Sequence, residues 1–249
     1  MSRRTWLAAL LLFLITVLVR MPASWALRLL PQGISCEQPA GTLWQGSCAR
    51  LQAAGVAVGP VNWSLRALPL LIARLDAELQ SEDSRLPLQA HVSLRTGGRV
   101  EASGLTGQFE LSPELLPGFP DGWRGNVRLN LAALSVVDGR LESLQGTVDI
   151  DSLRQQSPAM AMGSYRLEFA PAAGASGTGA NGGVVGSLRD TAGPLSVTGS
   201  LRYTAVGGYE INGLVAARSD ATPDLAKAVE YLGAADNQGR RPFSLAGTL

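Results

Sequence analysis

The chain has 249 residues, of which 46% are hydrophobic and 16% are charged. Its 21 basic and 20 acidic residues give a net charge of +1, which excludes the strongly basic surface typical of nucleic-acid-binding proteins. The 29 glycines and 14 prolines favour many turns over long helices. A single histidine leaves little material for a multi-histidine metal site or a Ser/His/Asp triad. We therefore expect no metal, no cofactor and no nucleic-acid partner.

The first predicted element is an apolar helix at the N-terminus. An uncharged run extends from Trp6 to Val19 and is followed by Arg20 and Pro22. Two interpretations are open. The run is either the core of a signal peptide that is cleaved near residues 24–26, or an uncleaved signal anchor. In both cases the body of the chain is exported from the cytoplasm.

We favour the anchor, placed at residues 5–27. Arg3 and Arg4 would hold a tail of residues 1–4 in the cytoplasm, because basic residues stay on the cytoplasmic side of a membrane. At the other end Arg20 would reach the outer interface, where Trp25 would act as an interfacial anchor, and Trp6 lies in the apolar run. These residues predict a single-pass inner-membrane protein whose residues 28–249 form a periplasmic domain.

Two cysteines, Cys36 and Cys48, follow this segment and are the only cysteines of the chain. In an exported domain a close, even pair predicts a disulfide, and two buried thiols are the alternative. Between them, residues 41–46 (GTLWQG) carry turn signals around Trp44. We expect Trp44 to pack in this hairpin, with contact to a partner protein as the second hypothesis.

The body of the chain shows the apolar–polar alternation of β-strands from residue 61 onward. The alternation is found in residues 61–65, 75–80, 88–95, 127–131, 147–151, 165–169, 195–203 and 243–249. One apolar and one polar face are typical of an antiparallel sheet. Glycine pairs at 97–98 and 207–208 predict hairpin turns, and glycines inside strands predict bulges. The glycine-rich residues 172–183 predict a flexible loop. The sequence thus predicts a mainly β protein with a long, twisted and curved antiparallel sheet, similar to a half-barrel.

A second helix is predicted at residues 222–232. Thr222 is a suitable N-cap and Pro223 suits the first turn, while Gly233 favours a stop. Leu225, Val229 and Leu232 would share one face, which we expect to pack across the apolar side of the sheet. Residues 69–72 (PLLI) predict one further short apolar turn.

Few residues suggest chemistry. His91 lies on the polar side of a predicted strand, where an exposed histidine is expected. Asp149 and Asp151 share a strand face, and nearby Arg128 and Arg154 favour a solvated charge cluster over a catalytic dyad. Because no nucleophile–base pair is evident, an exported hydrolase is disfavoured and we predict that the protein is not an enzyme.

Two blocks of sequence resemble the type II secretion system protein N family. The first contains residues 30–33 (LPQG), 41–46 (GTLWQG), 59–63 (GPVNW) and 69–71 (PLL). The second contains residues 193–199 (GPLSVTG), 208–209 (GY), 213, 232–233 (LG), 239–240 (GR) and 247–249 (GTL). The resemblance implies a bitopic inner-membrane component of the secretion machinery that supports export of folded proteins through the outer membrane. It implies machinery components as partners.

A lipid-handling protein is the alternative function. An apolar sheet face is able to hold acyl chains, and proteins of the AsmA type are similar in their repeated short strands bounded by glycines. Whether the chain's own side chains and the 222–232 helix fill that face distinguishes the two hypotheses. We expect no small-molecule ligand other than lipid.

Overall fold

A computed structural model describes residues 3–26, 34–53, 56–66, 74–83, 85–95, 98–111, 121–170, 183–204 and 207–248. The helices are α1 (Arg3–Val19), α2 (Ala23–Ala26) and α3 (Pro223–Glu230). The first seven strands are β1 (Ile34–Gly41), β2 (Gln45–Ala53), β3 (Val56–Arg66), β4 (Arg74–Ser81), β5 (Leu88–Arg95), β6 (Arg99–Glu110) and β7 (Trp123–Val137). The other six are β8 (Arg140–Gln156), β9 (Ala159–Phe169), β10 (Val184–Ala192), β11 (Leu195–Tyr203), β12 (Gly208–Ala217) and β13 (Arg241–Thr248).

All thirteen strands form one antiparallel sheet in which every strand lies beside its neighbour in sequence. The sheet is not closed, so β1 and β13 are its two edge strands. Short turns make this order possible, since an antiparallel pair needs only a hairpin to join it. Gly98 and Gly207 adopt positive φ angles of 72° and 84° at two of these turns. The predicted mainly β, antiparallel fold is confirmed.

The predicted alternation becomes one continuous apolar face. Leu129, Val148, Leu167 and Leu188 pair directly across β7 to β10, and the same type of apolar row recurs along the sheet. The opposite face carries the charged and amide side chains. Because successive side chains of a strand point to opposite faces, this pairing register keeps the two chemistries apart.

Bulges at glycines preserve that separation where the alternation changes phase. Gly104 has a φ of +60°, and the β5–β6 register shifts beside it. Gly146 has a φ of +130° at a similar shift between β7 and β8. Only glycine adopts this backbone region without strain, so the predicted link between glycines and bulges is confirmed at both positions.

Helix α3 packs on the apolar face at the β11–β12 end of the sheet. Its buried Leu225 and Val229 contact Leu195, Val197 and Val215. Thr222 caps the helix through its hydroxyl oxygen, which accepts the backbone N–H of Leu225, as predicted. The helix ends at Glu230, earlier than predicted.

The prediction was wrong for Leu232, which is 45% exposed. Because α3 already ends at Glu230, Leu232 no longer follows the helical face on which Leu225 and Val229 lie.

The N-terminal segment differs from the predicted anchor at residues 5–27. Helix α1 ends at Val19, and the short α2 follows after a break at residues 20–22. Pro22 accounts for the break, because proline lacks a backbone N–H and disfavours helical geometry in the residue before it. None of the helices in the described ranges is long and apolar enough to span a membrane. The structure therefore does not support the predicted transmembrane helix.

The chain exposes 15730 Å² of surface to solvent. A compact monomer of this length exposes about 10,500 Å². One wide sheet and the exposed side chains of α1 both contribute to this difference. The two other predicted features, the loop at residues 172–183 and the turn at residues 69–72, fall outside the described residues, apart from Gly183.

Candidate functional site

The β1–β2 turn joins the N-terminal helix to the sheet. The indole N–H of Trp44 donates to the carbonyl oxygen of Leu18 at 2.8 Å. Leu18 lies in the last turn of α1, where carbonyl groups lack partners within the helix. The backbone N–H of Leu43 donates to the carbonyl oxygen of Met21 at 2.8 Å, and Pro22 forms a β-bridge with Thr42. Trp44 thus ties the end of α1 to the first hairpin.

A second tryptophan supports that hairpin from β3. The indole N–H of Trp63 donates to the carbonyl oxygen of Leu43 at 3.1 Å. Its ring lies over Gly46, where an added Cβ would be 2.5 Å from the ring carbon Cζ2. The backbone N–H of Leu65 donates to the carbonyl oxygen of Trp44 at 2.7 Å. Gly46 is therefore required because a side chain there would meet both the Trp63 ring and the backbone oxygen of Ala40.

The disulfide predicted between Cys36 and Cys48 is present. It links β1 to β2, with Cα atoms 5.8 Å apart. Cys48 is buried, and α2 packs beside β1 with its Ala23 also buried. The bond therefore stabilises the same hairpin that Trp44 attaches to α1. A contact between Trp44 and a partner protein stays a prediction, since its indole N–H is used within the chain.

Further along the sheet, two aromatic rings lie against glycines of the neighbouring strand. An added Cβ would be 2.6 Å from a ring carbon of Phe169 at Gly186, and 2.7 Å from a ring carbon of Phe243 at Gly213. Aromatic rings that cover a cross-strand glycine replace its missing side-chain packing. These rings take the place of the side chains that Gly186 and Gly213 lack.

The polar face is crossed by ion pairs between neighbouring strands. Asp149 accepts two hydrogen bonds from Arg166, and Asp151 accepts one from Arg128 at 3.0 Å. The hydrogen bond and the charge of Asp149 raise the pKa of Arg166. The predicted charge cluster is confirmed for Arg128, but Arg166 of β9 replaces Arg154 as the other cation. Such pairs fix the strand register and leave no free carboxylate dyad.

His91 faces Glu78, with 3.8 Å between the imidazole Nε2 and the carboxylate oxygen. Both side chains are exposed, so they form a solvated pair. No group of three metal-binding side chains occurs among the described residues.

A cleft of about 460 Å³ opens at β4 to β7. Its lining mixes the apolar Pro87, Leu88 and Leu129 with amides, hydroxyls and one guanidinium; the polar residues include Gln80, Gln89, Thr106, Gln108, Arg128 and Asn130. The Arg128 charge is already paired with Asp151. The cleft contains no nucleophile with a base beside it, so it does not resemble a hydrolytic site.

Two pKa shifts mark structural contacts elsewhere in the sheet. Burial, assisted by the charge of Asp190, raises the pKa of Tyr165 to about 12. The pKa of the Asp236 carboxyl is lowered, mainly because it accepts a hydrogen bond from the backbone N–H of Arg240. The same carboxyl also accepts hydrogen bonds from the backbone N–H of Gln238 and from the guanidinium of Arg240. Asp236 thereby fixes the turn that leads from α3 into β13.

These features define a protein of one thirteen-stranded β-sheet whose first hairpin holds an apolar N-terminal helix. The chain belongs to the type II secretion system protein N family, which it matches over residues 32–244. The family is a component of the type II secretion machinery, and the match covers nearly the whole sheet.

Three curated relatives are each named type II secretion system protein N. The protein of Pectobacterium carotovorum is 26% identical over 88% of this chain and 86% of its own length. That of Aeromonas hydrophila is 26% identical over 100% of both chains. That of Vibrio cholerae is 34% identical over 38% of this chain and 36% of its own length. No solved structure is a significant match.

Proposed function

We propose that the protein is a non-enzymatic component of the type II secretion system, attached to the inner membrane by its N-terminal segment. Its sheet lies in the periplasm and supports export of folded proteins across the outer membrane. The family match over residues 32–244 carries this proposal. The geometry agrees with a scaffold, because the wide sheet offers a large surface and its polar face is occupied by paired charges.

Membrane attachment is supported by the surface of α1. Its side chains Trp6, Leu12 and Phe13 are each about two-thirds exposed, at 68%, 67% and 65%. Apolar side chains of this size require apolar surroundings, which lipid supplies. Trp25 in α2 is also exposed and is suited to the interface. Arg3 and Arg4 favour a cytoplasmic N-terminus, and the disulfide is consistent with a periplasmic sheet.

An in-frame deletion tests the secretion role. We expect a substrate exoprotein to accumulate in the periplasm of the deletion strain, while a periplasmic marker enzyme stays inside the cell. The marker controls for a leaky outer membrane. Carbonate extraction tests attachment, because a membrane-held chain stays in the pellet. Normal secretion in the deletion strain would remove the basis for the proposal.

Lipid binding is the second candidate, because helix α3 covers the apolar face only at its β11–β12 end. The row formed by Leu129, Val148 and Leu167 is only half-buried, and it continues into Leu188, which packs against the α3 cluster. The face begins beside the hairpin that holds α1, so acyl chains would have a short path to it from the membrane.

Photoactivatable phospholipid in native vesicles separates the two functions. Cross-links to the row at Leu129 and Val148 would favour lipid handling. Cross-links confined to α1 and α2 would contradict it and leave simple membrane attachment.

A further inference from the structure

The two edges of the sheet differ in how they are protected. Edge strand β1 contains Pro39 and the charged Glu37, is cross-linked by the disulfide and lies against α2. These are devices that proteins use to prevent a further strand from pairing with an exposed edge. Edge strand β13 carries no charge from Phe243 to Gly247, and in the described part of the chain no strand lies on its outer side.

The hydrogen-bond pattern shows which backbone groups of β13 face outward. The backbone N–H of Arg218 donates to the carbonyl oxygen of Pro194, and the backbone N–H of Thr204 donates to the carbonyl oxygen of Gly208. Both bonds join even-numbered residues that lie opposite each other at the two ends of the β11–β12 pair, so the even-numbered residues of β12 form hydrogen bonds with β11. Bonding alternates along an antiparallel strand, so the odd-numbered residues of β12 bond to β13. These pair with odd-numbered residues of β13 without a register shift, for example Ile211 with Leu245.

The outward-facing residues of β13 are therefore Pro242, Ser244, Ala246 and Thr248. Pro242 has no N–H, and an outward position on an edge strand is where proline is tolerated. The N–H groups of Ser244, Ala246 and Thr248 remain as three evenly spaced donors. We call these three residues the β13 edge.

The side chains around the β13 edge indicate the chemistry of its partner. Phe243 and Leu245 extend the apolar face to the last strand, and Leu245 is 54% exposed. Ser244 and Ala246 point to the other face and are small. An added strand would continue both faces if it were uncharged, with apolar side chains at alternate positions.

The position of this edge in the sheet favours a different protein over a second copy. Twelve strand spacings of about 4.8 Å separate β1 from β13, so the β13 edge lies up to about 58 Å along the sheet from the end that holds α1. Antiparallel pairing of two β13 strands would place two α1 helices at opposite ends of a double-width sheet. Such a dimer requires both ends of the double-width sheet to lie at the membrane, whereas an extended segment of another protein has no such constraint.

We propose that the β13 edge binds an extended, uncharged segment of another protein of the secretion machinery by β-strand addition. The proposal rests on the secretion function proposed above. Backbone hydrogen bonds from Ser244, Ala246 and Thr248 hold the segment, and Leu245 contacts its apolar side chains. The bound segment then forms a fourteenth strand of the sheet, beside β13, and continues its apolar and polar faces.

Proline substitution tests the proposal on the full-length chain. The double variant Ser244→Pro, Ala246→Pro removes two outward N–H groups and no bond between β12 and β13. We expect secretion of a substrate exoprotein to fall to the level of the deletion strain. Ser35→Pro is the matched control, because Ser35 faces outward on β1 by the same alternation from Thr42 and Gln45, and we expect secretion to be unchanged. The variant Ser244→Thr, Ala246→Ser keeps both N–H groups and is expected to secrete normally.

Amide hydrogen exchange gives a second readout that does not depend on secretion. We expect the amides of the β13 edge to exchange at least tenfold more slowly in membranes that contain the whole machinery than in membranes with this chain alone. The inward amides of Phe243, Leu245 and Gly247 should be protected in both, and in the proline variant they show whether β13 is still folded.

The outcomes are distinguishable. Suppose that the deletion blocks secretion and that β13 of the proline variant is folded. Secretion at the wild-type level in that variant would then overturn the inference. Equal exchange of the β13 edge in both membranes would overturn it as well. A purified chain that dimerises, and whose dimer the proline variant dissociates, would assign the edge to a second copy. If the deletion itself leaves secretion intact, the proposed function fails, and the exchange comparison still decides whether this edge binds a strand.

Discussion

Replacing Leu225 by alanine should detach α3 from the sheet. Leu225 is 2% exposed and packs against Leu195, Val197 and Val215. The substitution removes three carbon atoms, worth about 2.4 kcal/mol at roughly 0.8 kcal/mol for each buried carbon. The residual cavity adds to this loss, so we expect about 3 kcal/mol in total.

Amide hydrogen exchange of α3 measures this loss locally. A decrease of about 3 kcal/mol lowers the protection of the helix amides roughly a hundredfold when the helix opens on its own. Leu232→Ala is the matched control, because it deletes the same atoms from an exposed leucine and should change stability by less than about 0.5 kcal/mol. Equal effects of the two substitutions would refute the packing of α3 described above.

Three further predictions concern the sheet. Cys36→Ser should lower the free energy of unfolding by about 2–4 kcal/mol, because the disulfide restricts the unfolded chain; reductant should then have no further effect in urea titrations. Gly186→Ala should lower the melting temperature because its Cβ meets an aromatic ring at 2.6 Å, whereas Gly125→Ala, with its nearest atom at 3.4 Å, should not. Tyr165 should ionise near pH 12 in ultraviolet titration. Folding raises the pKa of Tyr165 from its ordinary value of about 10, so its contribution to the free energy of unfolding is complete below about pH 10 and is lost between about pH 10 and 12. A titration of Tyr165 together with exposed tyrosines would contradict that burial.

The strand faces could be predicted because alternation is a local signal. Residues 127–131 and 165–169 alternate without interruption, and both lie in strands as expected. Strand β6 was harder to recognise, since its apolar side chains occupy even positions before Gly104 and odd positions after it. A bulge restores the common face only once β5 and β7 are in place, and that is tertiary information.

The contacts of the candidate site depend on pairing register, which one sequence does not reveal. Turn residues around Trp44 were evident, but its bond to Leu18 requires α1 to end beside the first hairpin. Arg154 is near Asp151 in sequence, yet the second cation of the cluster is Arg166, which register places beside Asp149. The disulfide was predictable because two close cysteines in an exported chain leave few alternatives.

The joining of all strands into one sheet could not be predicted from the sequence either. Each strand and turn signal is local, and thirteen strands are equally compatible with one open sheet or with two packed layers. The strand order of the structure, with all thirteen strands in one sheet, decides between these arrangements.

The central claim is that this chain serves type II secretion from the inner membrane. Its most direct test is the fraction of a substrate exoprotein that reaches the medium in a deletion strain carrying either the full chain or its residues 28–249 behind a cleavable signal peptide. The account predicts wild-type secretion with the full chain and retention in the periplasm with the unattached sheet. An exoprotein that reaches the medium equally well in the uncomplemented deletion strain would contradict it.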